Sequence, residues 1–250
     1  MRKLSFQLNS KYYLASFLLL YFITGSSCFS EAITLDLGAT GGSMISRMVQ
    51  LLVTLTLLSL APALIMMVTS FTRMVIVFSF LRTALGTQQS PPNLVIMSLS
   101  LFMTTYIMMP VFEKAYDTAI VPLMDEKITE KESFEKAAQP FRQFMMKNIR
   151  EKDLLLFMNL SKQKVEKKED VSLRVLVPAF MISELKRAFE IGFLIFIPFL
   201  IIDMVVASTL MAMGMMMLPP VMISLPFKLI FFVMIDGWNL ICGSLVKSFH

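Results

Sequence analysis

Residues Asp203 to Lys228 read DMVVASTLMAMGMMMLPPVMISLPFK, and no charge lies between the two at its ends. Gly214 and the pair Pro219 and Pro220 place a turn in the middle of this stretch. A turn at a membrane face normally carries polar residues, because its amides and carbonyls need water. An apolar, irregular turn is tolerated only where protein buries it or where it lines a cavity. The flanks are equally apolar. On one side, Pro178 to about Met213 holds no strong breaker except Pro198, which predicts a long helix with Pro178 as its first residue and a kink at Pro198. On the other, Val221 to Val246 carries only Lys228 and Asp236. The stretch therefore reads as the tip of a membrane-inserted helical hairpin, and the fold class as all-α.

Composition agrees. Of 250 residues 56% are apolar and 16% charged, with a mean hydropathy of +0.70, whereas a soluble domain carries about 25% charged residues. The charge is also concentrated: 28 of the 41 charged residues, 15 basic and 13 acidic, lie between Glu113 and Arg187. This describes a membrane protein with one polar insert. The net charge of +5 includes Arg2, Lys3 and Lys11 near the start. No basic stripe interleaved with aromatics stands out, which argues against nucleic acid. Cys28 and Cys242 have no zinc-ligand spacing, and the single histidine is His250. The nine glycines form no phosphate-binding loop. The expectation is a protein that is not an enzyme and holds no cofactor or metal.

In chain order, residues 1–30 read as a secretory signal: Arg2 and Lys3, an apolar run from Tyr12 to Thr24, then small residues to Ser30. An uncleaved signal anchor is the alternative, and a lipobox at Cys28 is opposed by Gly25. After a short exported stretch (31–43), residues 44–112 hold the first apolar helix pair, with spans from Met44 to Phe71 and from Leu94 to Phe112. Arg73 and Arg82 lie between them without an acid, which places that connection in the cytoplasm. Residues 113–177 then form a small helical lobe on the exported side, and 178–250 the second apolar pair. Within the lobe, Thr129 and Glu132 make a capping box. Phe134, Ala137, Ala138, Phe141 and Met145 follow at helical spacing, and Asp153 to Leu160 is a second short helix.

Charges inside the apolar segments need partners. Glu184 with Arg187, and Lys186 with Glu190, have the spacing of helical ion pairs. Asp203 has only Phe199, Leu200, Val206 and Ala207 at three and four residues, so it pairs with a cation elsewhere, Lys228 or Arg82, or is protonated. Met215, Met216 and Met217 are the densest part of a set of 23 methionines. Met fills irregular gaps between helices. Alternatively, several copies of the turn converging on an axis make a flexible apolar constriction. Phe144, Phe157 and Glu184 are candidates for contacts between the lobes of neighbouring subunits, with the filling of the lobe's own core as the alternative for both rings.

TSFTR at 69–73, LGTQQ at 85–89 with Pro91, Pro92 and Asn93, ISELK at 182–186, IFIPFLIID at 195–203, GMMMLPP at 214–220, LPFK at 225–228 and DGW at 236–238 resemble the FliP family of flagellar biosynthesis proteins. The resemblance runs from Val53 to Phe249 and is looser between Glu113 and Val171. It implies a core subunit of the flagellar type III export gate in the bacterial inner membrane. Several copies would wind into a helical ring with FliQ-like and FliR-like subunits, next to FlhA/FlhB-like components, with the lobe on the periplasmic side. Unfolded flagellar proteins would be the cargo, and Met215, Met216 and Met217 a gasket in the lumen. A virulence secretion homologue and a self-contained small-solute transporter or channel are the alternatives. The transporter reading would require clustered intramembrane charges or a repeated half-structure.

Overall fold

The computed structural model describes residues 44–161, 171–215 and 217–249. The signal read over 1–30, the stretch 31–43, most of the loop after Leu160 and Met216 lie outside the described residues. Two units divide at residue 56. The described part of the first is the start of helix α1, Met44–Met67. The second holds the rest of α1, then α2 (Phe71–Leu85), α3 (Asn93–Ala115), a π-helical turn (Tyr116–Ile120) and the one-turn α4 (Val121–Met124). After these come α5 (Glu130–Asn148), α6 (Glu151–Ser161), α7 (Leu173–Ala212), α8 (Pro220–Met234) and α9 (Gly237–Lys247). No strand occurs among the described residues. The all-helical class is as the sequence predicts.

Helix α2 is where the structure departs furthest from the sequence reading. The connection between the two apolar spans is a 15-residue helix, and Met74, Val77, Phe78, Leu81, Ala84 and Leu85 bury one of its faces. That spacing is the 3.6-residue period of an amphipathic helix. The buried face forms the centre of a core with residues of α3, α7, α8 and α9, including Ile107, Ala188, Phe199, Phe232 and Leu245. Arg73 is fully buried on this helix, so it cannot count as a loop cation in an argument about membrane orientation. A second core joins α5, α6 and the start of α7 through Met145, Leu154, Val175, Leu176 and Phe180.

The long helix also starts earlier than expected. It begins at Leu173, and Pro178 lies inside it. Proline there removes one backbone hydrogen bond. The burial of Val175, Leu176, Ala179 and Phe180 within the lobe offsets that loss, at about 25 cal/mol per Å² of apolar surface. The helix runs on through Pro198 for 40 residues, about 60 Å. Its close approach to α2 depends on Gly192: a Cβ there would overlap the ring of Phe80. The capping box forms as read, with Thr129 accepting from the Glu132 amide and Glu132 from that of Thr129. Met145 on that helix is buried and Phe141 packs on Phe112 at 5.8 Å, but Phe134 is exposed.

Among the described residues, three helical segments are long and apolar enough to cross a membrane: Met48–Met67, Asn93–Met124 and Leu173–Ala212. The pair α8 and α9, bent by 63° at Asp236, makes a fourth if counted as one span. Only 11% of the apolar window of α7 is buried within the chain. Surface of that kind needs lipid or other subunits to cover it.

Candidate functional site

The methionine-rich turn joins α7 to α8. Gly214 takes a left-handed conformation, φ 74°. Its N–H donates to the carbonyl of Met211 and the N–H of Met215 to that of Leu210, both at 3.0 Å. These are the two bonds of a Schellman motif, and they satisfy the carbonyls that the helix end would otherwise leave open. The backbone thus supplies partners that a polar turn would have taken from side chains or water. The methionine side chains are released outward: Met211, Met213 and Met215 are exposed, and Met217 is 98% exposed.

Behind the turn, α7 and α8 are tied by charge. Asp203 Oδ2 lies 2.6 Å from Lys228 Nζ, and Ser224 Oγ donates to Asp203 Oδ1 at 2.6 Å. Lys228 Nζ also donates to the carbonyl of Ala84 at 3.2 Å. Cations are favoured at this end of a helix, where the last carbonyls of α2 point. Lys228 is 4% exposed by side chain and Asp203 38%. Of the two cations read as partners for Asp203, it is therefore Lys228 that meets it. Arg82 instead donates to Asn93 Oδ1 and the Pro91 carbonyl, closing the connection between α2 and α3.

A second ion pair lies deeper. Arg73 grips Glu184 with two bonds, one from Nε at 2.8 Å and one from Nη2, and both side chains are fully buried. Arg73 Nη1 donates to the Oγ of Ser248 at 2.8 Å and to its carbonyl at 3.3 Å. The guanidinium carbon sits 3.6 Å from the centre of the Phe249 ring. The end of the chain is in this way bound to α2 and α7. Glu184 pairs with Arg73 rather than with Arg187 one turn on, because α2 packs against this face of α7 and desolvates Glu184. Arg187 stays half-buried. The Lys186–Glu190 pair forms at 3.6 Å on the surface.

The FliP family model matches residues 54–245, a region that includes the turn and both ion pairs. The chain belongs to the FliP family. Among the relatives, the flagellar biosynthetic protein FliP of Caulobacter vibrioides is 58% identical over 221 residues, 88% of this chain and 83% of that one. FliP of Bacillus subtilis is 58% identical over 206 residues, 82% of this chain and 93% of the relative. FliP of Rhizobium meliloti is 53% identical over 211 residues, 83% and 86% respectively. Family membership makes this a flagellar biosynthesis and export protein, and its apolar helices suit it to a membrane.

In this FliP-family chain, the residues read as contacts between lobes are placed as follows. Glu184 has no exposed surface. Its side chain serves the inside of the subunit, because the Arg73 guanidinium takes both carboxylate oxygens. Phe144 packs between Phe180 at 6.0 Å and Phe249 at 5.9 Å, linking the two cores. Phe157 is half-buried against the second core. The sequence reading missed one polar tie altogether: Asp153 accepts from Ser183 Oγ at 2.6 Å and from Arg150 Nε at 2.8 Å. Burial alone would raise the Asp153 carboxyl, but the bonds from Ser183 and Arg150 outweigh it and hold it below the usual range. The spacing of Arg150 and Asp153 was a visible signal; the contact with Ser183 was not. No cluster of metal-ligating side chains occurs among the described residues.

Proposed function

We propose that this chain is a pore-forming subunit of the flagellar protein export gate, through which unfolded flagellar subunits cross the bacterial inner membrane. Met215, Met216 and Met217 seal the closed lumen. The observation that carries the reading is the turn itself: uncharged, outward-facing, and closed by its own backbone bonds. A resting gate must hold back ions yet yield to a polypeptide. Rigid packing seals without yielding, and a polar ring yields but leaks. Unbranched thioether chains on a short turn meet both demands. The exposed apolar surface of α7 suits contacts with other copies and with FliQ-like and FliR-like subunits, and FlhA/FlhB-like components complete the apparatus. The flagellar relatives favour flagellar over virulence cargo. A solute transporter fits less well, since Asp203 and Lys228 neutralise each other and leave neither charge for a passenger.

Replacing the three methionines with alanine is expected to raise the ion conductance of membranes carrying the complete gate, with assembly retained. Leucine at all three positions keeps more of the seal, because apolar volume is roughly preserved. An assembled alanine triple variant as tight as the parent would return these residues to ordinary packing.

The lobe lies on the periplasmic side in this reading, supported by the leader and by the number of spans before it. A Ser161→Cys variant is then labelled by an impermeant thiol reagent in cells with an intact inner membrane. Labelling only after that membrane is opened would reverse the topology.

A further inference from the structure

The turn between α7 and α8 combines exposed thioethers with a shortage of free hydrogen-bond donors. Met211, Met213, Met215 and Met217 are exposed, whereas Met74, Met108 and Met145 are buried inside the chain. Between Asp203 and Lys228 the side-chain donors are Ser208, Thr209 and Ser224. Each is engaged: Ser208 donates to the Val205 carbonyl, Thr209 to those of Val205 and Val206, and Ser224 to the Asp203 carboxylate. The backbone adds little. Pro219 and Pro220 carry no N–H where α8 begins. The amides of Gly214 and Met215 close the end of α7, that of Leu218 turns back to the Met215 carbonyl at 3.4 Å, and that of Met222 donates to the Pro219 carbonyl at 3.1 Å.

This shortage decides what an oxygen added to a thioether would do. Methionine sulfoxide is polar, where the parent side chain is flexible and apolar. Its oxygen is an acceptor that finds no free side-chain donor among the described residues of this stretch, so it holds water. A hydrophobic constriction closes by excluding water. Oxidation therefore removes the property by which such a constriction closes.

We propose that Met215, Met216 and Met217 are a reversible oxidation site, at which hydrogen peroxide opens the seal to ions. The thioether sulfur attacks one oxygen of the peroxide, and the O–O bond breaks. The sulfur keeps that oxygen as a sulfoxide, the proton on it passes to the departing hydroxide, and the peroxide is reduced to water. Methionine sulfoxide reductases reverse the change. This control rests on the reading of the turn as the seal of the lumen, to which it adds a chemical switch.

The test treats membranes carrying the complete, assembled gate with hydrogen peroxide, maps sulfoxides by peptide mass spectrometry and reads ion conductance. The methionines of the turn take up oxygen ahead of Met74, Met108 and Met145, and conductance rises severalfold in step with that uptake. Reductases for both sulfoxide epimers, added together, return it to the starting value. The Met215→Leu/Met216→Leu/Met217→Leu variant shows no rise over its own untreated level. If that variant does not assemble, Met217→Leu alone is read, and it loses part of the response. The alanine triple variant, measured without oxidant, separates the two readings. A leaky alanine variant beside an oxidised gate that stays tight overturns the oxidation site and leaves the seal standing. A tight alanine variant removes the seal and the switch with it. Equally fast oxidation of the buried methionines, a leucine variant that responds like the parent, or leakage that the reductases leave in place overturns the site as well.

Discussion

Glu184→Ala is expected to be among the most damaging single changes in this chain, costing about 3–5 kcal/mol of stability. The loss follows from what remains: Arg73 would keep its guanidinium fully buried, with only Ser248 and the face of Phe249 to answer it. Arg73→Ala should be similarly severe, because it leaves a fully buried carboxylate without its cation. Replacing both together, Arg73→Met with Glu184→Leu, removes both charges and keeps apolar volume, so it should be far milder than the two singles added. Thermal unfolding of the detergent-purified chain reads this cycle, with membrane levels as a second measure. Additive losses around the cycle would show that the pair is not coupled and would remove the explanation.

Asp203 and Lys228 should behave asymmetrically, although they form one ion pair. Lys228 is almost completely enclosed, whereas Asp203 is more than one-third exposed. Asp203→Ala strands a buried ammonium whose remaining partner is the Ala84 carbonyl, at a cost of about 3–5 kcal/mol. Lys228→Ala leaves a carboxylate that still accepts from Ser224 and reaches the surface, which points to a smaller loss of about 1–3 kcal/mol. Lys228→Met, which refills the space, should be milder still. Unfolding midpoints of the three variants, together with the amount of assembled complex, test the order. Equal losses for Asp203→Ala and Lys228→Ala would mean that burial does not set the cost here.

Several features of the fold were legible because they depend on residues near one another in the chain. The capping box at Thr129 needs only a spacing of three, and the turn at Gly214 only a residue able to adopt positive φ. The long apolar helix needs only continuous hydropathy. Helix α2 was misjudged for a related reason. Its period was present at Met74, Val77, Phe78 and Leu81, but apolar runs in a membrane protein look alike whether they face lipid or a protein core. Without that distinction Arg73 looked like a loop cation.

The sequence alone determined that this is an all-helical membrane protein, that one uncharged methionine-rich turn joins two apolar helices, and that Asp203 must either be protonated or find a partner on another element. These follow from composition, period and the cost of burying charge, which are local quantities. Tertiary structure alone decided which cation meets which acid. Arg73 and Glu184 are 111 residues apart, and only the packing of α2 against α7 brings them together. The same packing buries both side chains, makes the pair bidentate, and leaves Arg187 half-buried outside it, while Arg82 binds Asn93 and the Pro91 carbonyl. It also closes the end of the chain over Arg73, which no spacing rule contains, because Ser248 and Phe249 reach it only through the bend between α8 and α9.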